Sequence, residues 1–169
     1  MKHFNRILSI GLLAVASLFA GFAQAGALTD YAENKTVDAL LRAQAIGTPV
    51  TWYIALYTAC PTDSTAGTEV TGGSYARVAV TAGLAAWAGT QAAGSTTASS
   101  GTGGTTSNNA TISFPTPTAS WGTVVCWGIT DASTAGNIWI YSALTTSKTI
   151  NIGDSVSFAA GAATFQIDN

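Results

Sequence analysis

The chain has 169 residues, 47% hydrophobic and 8% charged, with a net charge of −2, a composition that fits a folded protein and excludes a disordered one. Of its six cations, Lys2 and Arg6 sit at the extreme N-terminus. The other four, Lys35, Arg42, Arg77 and Lys148, are too scattered to build the basic stripe that a phosphate backbone requires, so no nucleic-acid partner is expected.

Lys2, His3 and Arg6 form a basic head before an apolar run from Ile7 to Phe22, which closes on Ala23-Gln24-Ala25. These are the three parts of a bacterial-type secretory signal, with cleavage expected between Ala25 and Gly26. The apolar run falls short of the ~20 residues needed to span a bilayer, and no later run is longer, so no membrane span is expected after cleavage. The expected product is a single domain, residues 26–169, exported to the periplasm or the medium. The only histidine, His3, leaves with the signal. That removes Ser-His-Asp triads, Cys-His pairs and histidine metal sites from the mature chain.

Asp30 with Glu33 three residues on has capping-box spacing, and Val37, Leu40 and Leu41 fall on one helical face. One amphipathic helix is therefore predicted from Thr29 to Ile46, stopped by Gly47 and Pro49, with Glu33, Lys35 and Arg42 on its wet side. Val50–Tyr57 is dense in β-branched and aromatic residues and reads as a strand covered on both faces. Short strands are predicted at Tyr75–Val80, Thr111–Phe114, Thr123–Thr130, Asn137–Tyr141, Lys148–Asn151, Ser155–Phe158 and Ala163–Ile167. Clusters such as Pro61-Thr62-Asp63, Gly72-Gly73 and Gly153-Asp154 separate them. Many short strands after one helix predict a mainly β fold, an antiparallel β-sandwich or jelly roll. Residues 89–109 are nearly all Gly, Ser, Thr and Ala, and read as a flexible surface loop.

Cys60 and Cys126 are the only cysteines. Export to an oxidising compartment and an even count predict that they pair. Carboxylate pairs such as Asp63 with Glu69, or Asp131 with Asp154, could serve a glycosidase, but Asp in turns is ordinarily structural, so no enzyme activity is expected. Loop carboxylates could hold calcium, yet nothing is spaced like an EF-hand, and no metal site is assigned. Gly101–Gly104 lacks the Lys-Ser/Thr of a phosphate loop, and no cofactor is expected. Of five tryptophans, Trp52, Trp127 and Trp139 read as core. Trp87 and Trp121 flank the loop and a Pro-Thr-Pro turn, which makes them the candidate contact residues for a ligand or a neighbouring subunit.

Leu28-Thr29-Asp30-Tyr31-Ala32-Glu33-Asn34-Lys35 followed by Trp52-Tyr53-Ile54-Ala55-Leu56-Tyr57-Thr58-Ala59 resembles a phage-encoded family of tail fibre or minor tail proteins. Later blocks recur in the same order: Thr68-Glu69-Val70 with Gly73-Ser74-Tyr75-Ala76-Arg77, Trp127-Gly128-Ile129-Thr130-Asp131, and Ala143-Leu144-Thr145 through Gly153-Asp154. The resemblance implies a small β-sandwich virion component that assembles with other particle subunits as a homo-oligomer. The signal and the two cysteines depart from that pattern, because phage particles assemble in the cytoplasm. They suit a second expectation, an exported binding module of phage ancestry that recognises a surface glycan or envelope material.

Overall fold

A computed structural model describes residues 27–167, so the signal expected over residues 1–25 and its Ala25–Gly26 cleavage point lie outside the described residues. The elements in chain order are β1 (Ala27–Leu28), α1 (Asp30–Leu41), β2 (Thr51–Ala59), β3 (Thr68–Glu69), β4 (Val78–Thr81), β5 (Thr105–Ser107), β6 (Ile112–Ser113), β7 (Gly122–Thr130), β8 (Ile138–Ile150), β9 (Ser157–Phe158) and β10 (Thr164–Gln166). Among the described residues the fold is mainly β, with every pairing antiparallel and one helix. A six-stranded sheet runs in the order β1-β8-β7-β2-β3, with β4 also on β2, and is accompanied by two ribbons, β5–β10 and β6–β9.

The centre of the sheet follows from side-chain alternation. Ile54 lies opposite Ile129 and Leu56 opposite Trp127, on the face that meets Val70, Ile112, Phe114, Trp121, Val124 and Ile150 in the main core. Ala55 and Tyr57 point the other way with Cys126 and form a small second core. Gly128 sits between them because a Cβ there would approach the Ile140 carbonyl at 3.0 Å and the Tyr57 ring at 3.1 Å. Aromatic rings carry the main core outward, with Tyr75 against Trp121 at 5.3 Å and Trp127 against Phe158 at 5.7 Å.

Two short strands share one edge of β2. β4 pairs with Thr51–Ile54, and β3 pairs with Tyr57 and Ala59. In the gap between them the Leu56 amide donates to the Tyr75 hydroxyl at 2.9 Å, and the Leu56 carbonyl accepts from Val70 N at 2.9 Å. A side chain thus stands in for the missing ladder partner, as a buried backbone donor requires.

The helix is shorter than the sequence pattern predicts, and its apolar face is not covered. The N-cap is Thr29 rather than Asp30: its hydroxyl accepts from Ala32 N at 3.4 Å and donates to the Ile138 carbonyl at 2.5 Å. The helix ends at Leu41, well before Gly47, because Ala43 turns to φ 53° and Gln44 N folds back on the Asp38 carbonyl. Ala32 is buried and Tyr31 packs edge-on against Trp139 at 5.3 Å, but Leu40 is 77% and Leu41 81% exposed.

Two further expectations are corrected. The strands predicted separately at Asn137–Tyr141 and Lys148–Asn151 are one strand, β8, held together by an excursion in which Leu144–Ser147 face the single residue Val125. Residues 89–109 are not all loop, since they contain β5 and the buried Asn108. Asn108 donates to the Ala110 and Ala159 carbonyls, both at 2.8 Å, and accepts from Ala163 N at 2.8 Å, which fixes the approach to β10. Gln91 ties the loop tip, donating to Ser95 Oγ at 2.6 Å and Thr97 Oγ1 at 2.7 Å.

Candidate functional site

On the second face of the sheet a single cation organises three segments that are far apart in sequence. Arg77, just before β4, donates from Nε and Nη2 to the two Glu69 carboxylate oxygens at 2.8 and 2.7 Å. Its Nη1 reaches the Thr130 hydroxyl at 3.0 Å and the Ala132 and Ala135 carbonyls at 2.7 Å each. A planar guanidinium is suited to this, because one side of the fork grips a carboxylate while the other gathers carbonyls. The hydrogen bond to Glu69 holds the Arg77 pKa above its ordinary value despite partial burial. Burial, reinforced by the Glu69 charge, pushes the Tyr57 hydroxyl up to about 12. Burial also raises Tyr75, whose hydroxyl donates to Glu69 at 3.0 Å. Both phenols are therefore neutral near neutral pH, and of the two only Tyr75 donates a hydrogen bond.

The same face carries the covalent link. Cys60, beyond the end of β2, is bonded to Cys126 in β7, with Cα atoms 5.2 Å apart and a sequence separation of 66. Of the other carboxylates named from the sequence, Asp131 and Asp154 have structural employment. Asp131 accepts from Asn137 N at 2.7 Å, Asn137 Nδ2 at 2.8 Å and Trp139 Nε1 at 3.2 Å, closing the β7–β8 turn. Burial opposes ionisation there, but the Asn137 and Trp139 donors outweigh it and hold the Asp131 pKa below the ordinary value. Asp154 accepts from Asn151 N at 2.7 Å. Asp63 is not beside Glu69's partner set; its carboxylate converges with those of Asp30 and Glu33 in an exposed acidic group.

A concavity lies on the main face, between β8 and the β9–β10 segment. This groove measures about 490 Å³. Its floor is apolar, made by Val124, Trp127, Ile150, Val156 and Phe158, and its rim is polar, with Ser142, Thr146 and Lys148 from β8. Nothing in the local sequence marked it, because its floor is drawn from β7, β8 and β9 at once.

The two candidate contact tryptophans are placed differently from expectation. Trp121 is only 4% exposed; it belongs to the main core and its indole donates to the Gly73 carbonyl at 3.0 Å, so it is corrected from surface to core. Trp87 is half-buried against the same core and bridges to Asn108. Neither lines the groove. Among the described residues, no helix is long and apolar enough to cross a membrane.

Comparison with known proteins identifies the lineage. Residues 27–166 match the family model of the podophage GP4 fiber I protein gp80. No curated protein matches the chain. The match spans nearly all of the described residues, and the chain belongs to this phage fibre family.

Proposed function

We propose that this member of the phage fibre family is a non-enzymatic structural subunit of the virion, assembled with other particle subunits and with copies of itself. The observation that carries the reading is the family match over residues 27–166. Two features support it. Three of the four carboxylates that could have served catalysis, Glu69, Asp131 and Asp154, are engaged by Arg77, Asn137 and Asn151, which suits a scaffold better than an acid–base pair. Val37, Leu40 and Leu41 expose apolar side chains on α1, the kind of surface that marks a subunit contact.

The test is peptide mass spectrometry on sedimented particles and on clarified medium from producing cells. Enrichment in particles is expected. Recovery in medium or envelope alone, beginning at Gly26, would overturn the virion reading. Sedimentation of the purified chain at micromolar concentration tests self-association, with an oligomer expected and a monomer counting against it.

A second reading is favoured by the Cys60–Cys126 disulfide together with the signal-like leader. It is an exported binding module of phage ancestry, periplasmic or extracellular, that holds a surface glycan or envelope material. In that case the hydroxyl-rich loop and Trp87 are the contact surface, and Trp121 is not.

A further inference from the structure

We propose that the Cys60–Cys126 disulfide is a redox latch that holds the loop of residues 61–67 against the start of α1, opposing a repulsion built into that junction. The loop is compact at its base, where a Cβ on Gly67 would approach the Ala59 carbonyl oxygen and the Pro61 nitrogen at 2.5 Å. At its tip the Asp63 carbonyl accepts from Asp30 N at 3.0 Å, so the loop supplies a partner to one of the amides that a helix start leaves open.

The same contact gathers charge. The carboxylates of Asp30, Glu33 and Asp63 converge, with one oxygen of each within 4.8 Å of the others. Like charges at that spacing repel, and the roughly half charge of a helix start is too small to neutralise three carboxylates. The ion pairs among the described residues, Arg42–Asp38 and Arg77–Glu69, lie elsewhere. The loop therefore rests against α1 with the side chains of the contact pushing apart.

The counterforce is covalent. β2 pairs with β7 only as far as Tyr57, opposite Cys126; past that point the disulfide ties the chain back to β7 at Cys60. The two sulfurs differ in access, since Cys60 is exposed and Cys126 is 1% exposed. Closure follows from that difference. The Cys60 thiolate attacks a small-molecule disulfide such as oxidised glutathione and expels one thiolate, and the Cys126 thiolate then attacks the Cys60 sulfur and expels the second. The two protein thiols lose two electrons and two protons, and the small disulfide is reduced to two thiols. With the bond open, repulsion carries Asp63 away from Asp30. Thr29 keeps its bonds to Ile138 and Trp139, and Tyr31 keeps its contact with Trp139, so α1 stays in place and its junction with the loop loosens. Reducing and oxidising compartments thus select between two states of one surface.

The experiment measures backbone amide order parameters by NMR on the full chain, first oxidised with glutathione disulfide and then reduced with excess dithiothreitol. Oxidised, Asp30 and Asp63 are expected near the rigid value of about 0.85; reduced, they are expected below about 0.6, while Ile54–Leu56 and Trp127–Ile129 stay near 0.85. In the reduced variant Asp30→Asn with Asp63→Asn, both positions are expected to return towards about 0.85, because the repulsion is gone. Unchanged order at Asp30 and Asp63 on reduction would overturn the proposal and give the loop's anchorage to the buried Pro61. Loss of order in β2 and β7 as well would overturn it by making the disulfide a support of the whole sheet. A reduced neutralised variant as mobile as the reduced parent would overturn it too, since no repulsion would then be at work.

Discussion

The two faces of the six-stranded sheet are held by different means. The main face relies on area: Ile54, Leu56, Val124, Trp127 and Ile129 bury against the ribbons, and many weak contacts sum to its stability. On the second face, among the described residues, Ala55, Tyr57 and Cys126 form only a small buried cluster, which is joined by single strong devices, the Cys60–Cys126 bond and the Arg77 hub. A face of the first kind tolerates exchange of one apolar group for another. A face of the second kind fails at particular atoms.

The largest effect expected is at the disulfide. Replacing both Cys60 and Cys126 with serine should cost about 4 kcal/mol in the chain-entropy treatment of a loop this long, read as a lower denaturation midpoint with native secondary structure retained. Next comes Arg77→Ala, which strands the Glu69 carboxylate and three oxygen acceptors, at about 3 kcal/mol. The double change Arg77→Met with Glu69→Leu should recover much of that loss, since what is costly is the unpaired partner. If the double variant is as weak as Arg77→Ala, the hub stabilises through its carbonyl contacts and not through the ion pair.

The two tyrosines give a finer comparison. Tyr75→Phe removes the partner of the Leu56 amide and should cost about 1.5 kcal/mol. Tyr57→Phe should be neutral or stabilising, because among the described residues the buried Tyr57 hydroxyl has no hydrogen-bond partner. Thermal melts of the two variants side by side decide the matter, and equal losses would break the distinction.

Acid tests the β7–β8 turn. The Asp131 pKa is depressed in the fold, so the unfolded chain binds its proton first; the stability it supplies is present above the ordinary Asp value and lost as pH falls through the lower folded value. Asp131→Asn should remove that acid limb from a stability-versus-pH curve, at roughly 1 kcal/mol near neutral pH. The smallest effect is expected on α1, where Leu40→Ser with Leu41→Ser should change stability by less than about 0.5 kcal/mol because both are already exposed. Loss of self-association in that variant, with stability unchanged, would identify this surface as a subunit contact.

What the sequence disclosed follows the same division. β2 and β7 were legible because both of their faces are covered, so the whole run is apolar, aromatic or β-branched. β8 read as two strands because Thr145–Thr149 is exposed and carries no alternation, although the backbone continues through it. Val37, Leu40 and Leu41 gave a helical stripe that correctly located α1 but wrongly implied a buried face; periodicity reports pattern and not what lies opposite. Cysteine count and compartment pointed to the 60–126 pairing. The Arg77 hub and the groove were not legible, since each joins turns or strands that only the topology brings together.

The position of β1 has a kinetic meaning. Thr29 bonds to the backbone of Ile138 and Trp139, so the first strand to be made meets its partner only after more than a hundred further residues exist. Pairings of such long sequence separation are slow to form, because the loop between them must be closed first. During synthesis β1 therefore remains without its ladder while β2, β4 and β7 can already assemble, and it docks after them.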